Sequence, residues 1–232
     1  MKAVVFDLDD TLYLSTRFNL FARRQAIEAM KLRGLDAPAV KQWKMLDQIY
    51  KEFGSNFEGH YNILMERLGH KNDYKILSAG VSAHHAAKNL LSYFISPGCF
   101  DLLLFLKEKQ VKIFLLTGGV PVKQWDKLNL LGIADFFDEV FVVEDKHDGS
   151  QLEKFLNFYE KTGFERRDCF MIGDREDVDV LPMKKLGFKT IRVLQGKYSK
   201  NNRTRADFKA KNLFEVKKIL AEKVLLKSPE TL

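Results

Sequence analysis

Cysteine and long hydrophobic runs are both scarce in this sequence of 232 residues, whose two cysteines are Cys99 and Cys169. Two cysteines cannot build the disulfide framework of a small secreted domain, so a reducing compartment, the cytoplasm, is expected. The apolar stretch within MKAVVFDLDD is too short for a signal peptide or a membrane-spanning helix. We therefore expect a globular protein without a membrane segment.

Acidic residues are fewer than basic ones, 31 against 38, which leaves a net charge of +7. The basic excess is concentrated between Lys197 and Lys227, but no basic-aromatic motif of a nucleic-acid-binding module accompanies it. We interpret this segment as a solvated basic surface, with nucleic-acid binding as the alternative. No feature of the sequence indicates an oligomeric state.

Short apolar or β-branched runs alternate with longer patterns of helical period. The predicted strands are AVVF at 3–6, VKIFLL at 111–116, EVFVV at 139–143, CFMI at 169–172 and KTIRVL at 189–194. Such alternation is typical of parallel strands joined by helices. The predicted fold class is therefore α/β, with a Rossmann-like, doubly wound parallel sheet that binds ligands beyond the carboxyl ends of its strands.

The interval between the first two predicted strands is far longer than a crossover helix requires. Residues 16–95 read as successive helices, with Ser15 or Thr16 as the first cap and Pro38 opening the second helix. We predict a helical cap domain at 15–96, inserted into a Rossmann-like catalytic core formed by 1–14 and 97–232.

Chemically suited residues follow four of the predicted strands. Asp7, Asp9 and Asp10 come directly after the first strand, where carboxylates this close together favour a hard divalent cation. Asp10 also suits a simple turn. The ends of the other strands supply Thr117, Gly118, Lys146, Asp174, Asp177 and Asp179.

These segments resemble the four ordered motifs of the haloacid dehalogenase superfamily of hydrolases. The resemblance spans residues 3–194: FDLDDTL is similar to the first motif, LLTGG to the second, Lys146 to the basic third and GDREDVD to the fourth. The insertion after the first motif resembles the helical cap of the first structural subclass. The expected activity is that of a phosphatase acting on a small phosphorylated metabolite.

The resemblance also implies a role for each matching residue. Asp7 would be the nucleophile that forms an aspartyl-phosphate, and Asp9 the acid and then the base. Mg²⁺ would be held by Asp7, the backbone carbonyl of Asp9, and Asp174. Thr117 and Gly118 would bind the phosphate, and Lys146 would balance charge. Asp179 and Asp177 would orient Lys146 or metal-bound water.

Several alternatives stay open at this point. Lys154 is a second candidate for the basic motif, because no Lys-Pro pair follows the third predicted strand. An acid at Asp9 favours phosphate esters over haloacids, since an alcohol leaving group needs a proton. A phosphosugar mutase, a haloacid dehalogenase and a non-enzymatic protein that binds phosphate or nucleic acid are the competing functions.

Overall fold

The structure is a computed structural model that describes residues 1–143 and 149–225. The chain divides into two compact units, one formed by residues 1–16 together with the chain from residue 92 onward, the other by residues 17–91. Among the described helices, none is long and apolar enough to cross a membrane.

The first unit contains a six-stranded parallel sheet. Its strands are β1 (Ala3–Phe6), β2 (Lys112–Gly118), β3 (Glu139–Val143), β4 (Cys169–Gly173), β5 (Lys189–Val193) and β6 (Phe208–Ala210). The strand order is β3-β2-β1-β4-β5-β6, which is the Rossmann order. This confirms the predicted fold class and adds β6, a strand of three residues that the sequence pattern did not reveal.

The strand β1 lies in the middle of the sheet and is buried on both faces. All four of its residues are 0% exposed, because helices cover both sides of a doubly wound sheet. It pairs in register with β2 through Phe6 and Leu115, and with β4 through Phe6 and Ile172. The chain therefore leaves all three strands at the same edge of the sheet.

The second unit is helical throughout. It contains most of α1 (Ser15–Leu32), followed by α2 (Ala39–Phe53), α3 (His60–Arg67) and α4 (Tyr74–Ala87). Ile27, Leu46 and Leu64 are 0% exposed and belong to one apolar cluster to which α1, α2 and α3 contribute. Burial of these side chains stabilises the unit as a compact body with its own core.

Among the described residues, five further α-helices belong to the sheet-containing unit: α5 (Cys99–Glu108), α6 (Pro121–Leu131), α7 (Gly149–Lys161), α8 (Leu181–Lys185) and α9 (Leu213–Leu225). α5 packs against β2 and α9, and α7 packs against β3. α6 begins with Pro121 in its first turn and is followed by Gly132, whose φ of 67° suits a glycine. Both ends of α6 are thus set by local sequence.

Candidate active site at the carboxyl edge of the sheet

Three carboxylates converge where β1 and β4 end. One ligand atom each from Asp7, Asp174 and Asp179 lies within 4.8 Å of the others, and the three residues are 4%, 3% and 1% exposed. Negative charges this close and this buried repel one another unless a cation or protons offset them. Oxygen ligands of this kind fit a hard divalent cation.

Asp179 reaches the cluster through an unusual turn of backbone. Residues Glu176–Val180 form a single π-helical turn after β4, a conformation that occurs frequently at functional sites. The backbone N–H of Arg175 donates to Asp179 Oδ2 over 3.0 Å, which fixes the orientation of the carboxylate. The resemblance assigned Asp179 an outer, orienting role, whereas its carboxylate belongs to the same close group as that of Asp7.

Gly173 makes room for this arrangement. A methyl group at Gly173 would lie 2.5 Å from Cβ, Cγ and Oδ2 of Asp179. Carbon atoms in contact are normally about 3.5–4.0 Å apart, so any larger residue would push Asp179 away. The glycine of the GD pair is therefore required by close packing against a carboxylate of this cluster.

The backbone of Asp174 is held by a buried arginine on β5. Arg192 is 2% exposed and donates from Nε to the Asp174 carbonyl oxygen over 2.9 Å. Its other nitrogens donate to the carbonyl oxygens of Arg203 at 2.7 Å and of Tyr198 at 3.2 Å. One guanidinium thus connects the acidic edge of the sheet to the segment that precedes β6.

Asp10 takes no part in the carboxylate cluster and supports the turn instead. Its φ is 56°, a left-handed conformation that aspartate tolerates better than most residues. Its carboxylate accepts from the backbone N–H of Thr16 at 2.9 Å and from the Thr16 hydroxyl at 2.5 Å. These bonds satisfy donors in the first turn of α1, so the turn-forming interpretation of Asp10 agrees with its contacts.

A neighbouring strand end offers groups suited to an anion. Thr117, near the end of β2, is 0% exposed, and its Oγ1 has no hydrogen-bond partner among the described residues. It lies two residues beyond Leu115, the partner of Phe6, so it stands on the strand beside the one that leads into Asp7. A buried hydroxyl without a partner costs free energy, which a bound phosphate oxygen would offset.

Gln124 on α6 shapes the turn after Thr117. Its Nε2 donates to the carbonyl oxygen of Gly118, while its Oε1 is buried without a partner among the described residues. Gly119 has a φ of 138°, and a methyl group there would lie 2.5 Å from Gln124 Nε2. Gly119 therefore allows a close approach between turn and helix.

Asp9 is held by two donors that the sequence did not single out. The hydroxyl of Tyr13 donates to Asp9 Oδ1 over 2.6 Å, and Lys127 Nζ donates to Oδ1 and Oδ2 over 2.9 and 3.0 Å. Burial and, second, the charge of Asp9 raise the pKa of Tyr13 well above its usual range, so the phenol keeps its proton.

The remaining predicted residues lie elsewhere or outside the described chain. Asp177 is exposed and pairs with Arg175 over 2.8 Å, so its carboxylate is not part of the buried cluster. Lys146 lies outside the described residues. Lys154 lies in α7, and its side chain is outside the described part of the chain.

Comparison with known proteins relates this architecture to one group of enzymes. A family model described as haloacid dehalogenase-like hydrolase matches residues 1–187. A glyceraldehyde 3-phosphate phosphatase of Methanocaldococcus jannaschii is 38% identical over 200 residues, covering 85% of this chain and 87% of that protein. A protein of the same name from Methanopyrus kandleri is 36% identical over 203 residues, covering 85% and 86%.

A solved structure is similar in fold. The HAD-hydrolase YfnB of Bacillus subtilis, crystallised with magnesium bound, superimposes with a TM-score of 0.62. The alignment covers 94% of this chain and 98% of YfnB at 18% identity. At 18% identity, this similarity shows a shared fold and nothing further.

Proposed function

Because the chain belongs to the haloacid dehalogenase-like hydrolase family, we propose that its Asp7 takes the phosphoryl group from glyceraldehyde 3-phosphate or a phosphate ester of similar size. The chain is a phosphatase of small phosphate esters, since curated relatives that are 36–38% identical to it over about 200 aligned residues bear that activity in their names. The observation that carries the proposal is the convergence of three buried carboxylates within 4.8 Å.

The residues present fit a divalent cation. Asp7, Asp174 and Asp179 supply buried carboxylate oxygens, and such a group without a cation would be strongly repulsive. We propose Mg²⁺ as the cation, with the backbone carbonyl of Asp9 as a further ligand implied by the family. When bound, the ion neutralises phosphoryl charge, so that an anionic nucleophile can approach an anionic ester.

The first half-reaction forms a bond between Asp7 and phosphorus. As that bond forms, the bond between phosphorus and the ester oxygen breaks, and the oxygen keeps the electron pair. Asp9 gives its proton to this oxygen, which leaves as an alcohol. Thr117 Oγ1 and the N–H of Gly118 hold oxygens of the transferring group, and Lys146 would balance its charge.

The second half-reaction returns Asp7 to its carboxylate form. Asp9, now a carboxylate, takes a proton from a water molecule whose oxygen bonds to phosphorus as the bond to Asp7 breaks. Inorganic phosphate leaves, and Asp9 is again protonated. Water as the acceptor distinguishes this phosphatase from a mutase, which would return the phosphoryl group to a sugar.

The helical unit at residues 17–91 is proposed to be the cap domain. In this role it would exclude bulk water and select the leaving group, while the sheet-containing unit supplies the chemistry. The proposed compartment is the cytoplasm, because Cys99 and Cys169 are both buried free thiols.

Phosphate release from glyceraldehyde 3-phosphate by the purified chain with Mg²⁺ tests this proposal. Asp7→Asn should lower kcat/KM by about 10³-fold or more, since no other group can replace the nucleophile. EDTA should abolish turnover. Acid-quenched wild-type enzyme should carry one phosphoryl group on the peptide that contains Asp7, as measured by mass spectrometry.

Asp135→Asn is the matched control, because Asp135 is exposed and lies in none of the four motifs. It should retain wild-type activity and stability. Wild-type turnover by folded Asp7→Asn, or turnover that EDTA leaves unchanged, would contradict the mechanism. Isomerised sugar phosphate without free phosphate would favour the mutase instead.

A further inference from the structure

Asp9 is clamped by two side chains from different parts of the sheet-containing unit. We propose that Lys127, together with Tyr13, is a positioning residue that holds the Asp9 carboxyl group in the orientation needed for proton transfer. This inference rests on the proposed function, in which Asp9 is the acid and then the base. It assigns a catalytic purpose to a lysine that no motif identifies.

The contacts define the orientation of the carboxyl group closely. Lys127 Nζ contacts both oxygens of Asp9, at 2.9 and 3.0 Å, and the Tyr13 hydroxyl contacts Oδ1 at 2.6 Å. Three donor contacts on one side chain restrict both rotation about Cβ–Cγ and choice of rotamer. The exposed fractions of the two charged side chains, 27% for Lys127 and 36% for Asp9, are intermediate, so water competes only in part.

The helix that carries Lys127 is itself anchored at the site. Gln124 lies three residues earlier, on the same side of α6, and binds the Gly118 carbonyl oxygen. Leu128, the next residue after Lys127, is 0% exposed, which fixes the rotation of the helix about its axis. α6 therefore brings one side chain to the phosphate-binding turn and another to the acid.

Tyr13 provides the second anchor from the turn that follows the nucleophile. It is 1% exposed, its backbone N–H bonds to the Leu8 carbonyl oxygen at 3.4 Å, and it forms isolated β-bridges to Asp9 and Ile95. Lys127 Nζ also lies 5.6 Å from the centre of its ring, within the range of a cation–π contact. The three side chains thus form one connected group.

The contacts of Lys127 and Tyr13 with Asp9 are compatible with both half-reactions. In the first, one oxygen of Asp9 carries the proton that goes to the leaving oxygen, while the other oxygen still accepts from Lys127. In the second, the carboxylate takes the proton back from the attacking water. Loss of Lys127 would remove two of these three donor contacts and leave the orientation of the Asp9 carboxyl group less restricted, so steps that need its proton would slow.

The way in which the rate of ester cleavage depends on the leaving group distinguishes a positioning role of Lys127 from a purely structural one. p-Nitrophenolate leaves without a proton, whereas an alkoxide needs one. In single-turnover experiments with enzyme in excess and Mg²⁺ present, Lys127→Met should release the alcohol of glyceraldehyde 3-phosphate about tenfold or more slowly than wild type. Release of p-nitrophenolate from its phosphate ester should stay within about twofold of wild type.

Three variants complete the experiment. Lys127→Arg retains a cationic donor and should recover a large part of the alkyl-ester rate. Lys218→Met removes an exposed lysine from α9 and should leave both rates unchanged. Asp9→Asn removes the acid itself and should show the same selective loss as Lys127→Met, to a greater extent.

The outcomes distinguish this inference from the proposed function. Equal slowing of both esters by Lys127→Met, or no slowing of either, would overturn the positioning role while Asp9→Asn stays selective. If Asp9→Asn itself shows no dependence on the leaving group, the acid role proposed for Asp9 fails, and the inference fails with it. Comparison of thermal unfolding midpoints among the variants shows whether any rate change reflects loss of fold.

Discussion

Replacing Gly173 by alanine should weaken the proposed metal site through a single added methyl group. That methyl would lie 2.5 Å from Asp179 Cβ, Cγ and Oδ2, so Asp179 must move by about 1 Å to restore ordinary contact distances. Moving one of three converging carboxylates should weaken Mg²⁺ binding by about 10–100-fold, the range that supporting groups around metal ligands typically contribute.

The effect can be measured as stability without any substrate. At a Mg²⁺ concentration 100 times its dissociation constant, the ion stabilises the folded wild type by about 2.7 kcal/mol. A 30-fold weaker site would retain about 0.9 kcal/mol at the same concentration. Urea unfolding with and without Mg²⁺ should therefore show that Gly173→Ala loses about 1.8 kcal/mol of metal-dependent stabilisation.

Gly132→Ala is the matched control for this experiment. Gly132 follows α6 with a φ of 67°, and no atom lies within 4 Å of the position that a methyl group would take. Its substitution should cost about 1 kcal/mol from backbone strain alone, equally with and without Mg²⁺. If Gly173→Ala retains the full metal-dependent increment of wild type, the assignment of Asp179 to the metal site is refuted.

Two further changes test the proposed phosphate-binding turn and the loss of stability at acid pH. Thr117→Val should leave the free energy of unfolding unchanged or raised by up to about 1 kcal/mol, because Oγ1 has no protein partner among the described residues. In steady-state assays its KM should rise about tenfold. An unchanged KM would remove Thr117 from the site. Burial opposes ionisation of Asp207, but hydrogen bonds from Lys184 and Thr190 outweigh it and lower the pKa of Asp207. Its contribution to stability is therefore present above the ordinary aspartate pKa of about 3.9 and is lost as the pH falls through the lower folded value. Urea unfolding at a series of pH values should show a smaller loss of stability at acid pH for Asp207→Asn than for wild type. An identical loss in both proteins would refute the assignment to Asp207.

Most of the sheet was predictable because its signal is local. Five strands are short apolar runs at recognisable spacing, and the structure confirms the doubly wound parallel arrangement. β6 was missed because its three residues, Phe208–Ala210, lie in a strongly basic segment without an apolar run. Its pairing with β5 depends on tertiary structure, which no local pattern encodes.

The candidate site was predictable only as far as strand ends define it. Residues that follow adjacent parallel strands must share an edge, so Asp7 and Asp174 were expected together, and their carboxylates lie within 4.8 Å. Lys127 pairs with Asp9 across 118 positions of sequence. Gln124 binds the Gly118 carbonyl oxygen from the first turn of α6. Both contacts depend on how α6 packs, which the helical period alone does not determine.

The position of β1 in the middle of the sheet has a consequence for synthesis of the protein. The strand that leads into Asp7, the proposed nucleophile, is made before its neighbours, yet it is enclosed only after β2 and then β4, which ends at Gly173, have emerged from the ribosome. At about 5–20 residues per second, roughly 8–30 s would pass between the synthesis of β1 and the synthesis of β4. The nascent chain is therefore expected to be inactive until β4 has been made, with an unpaired apolar strand that a chaperone could bind.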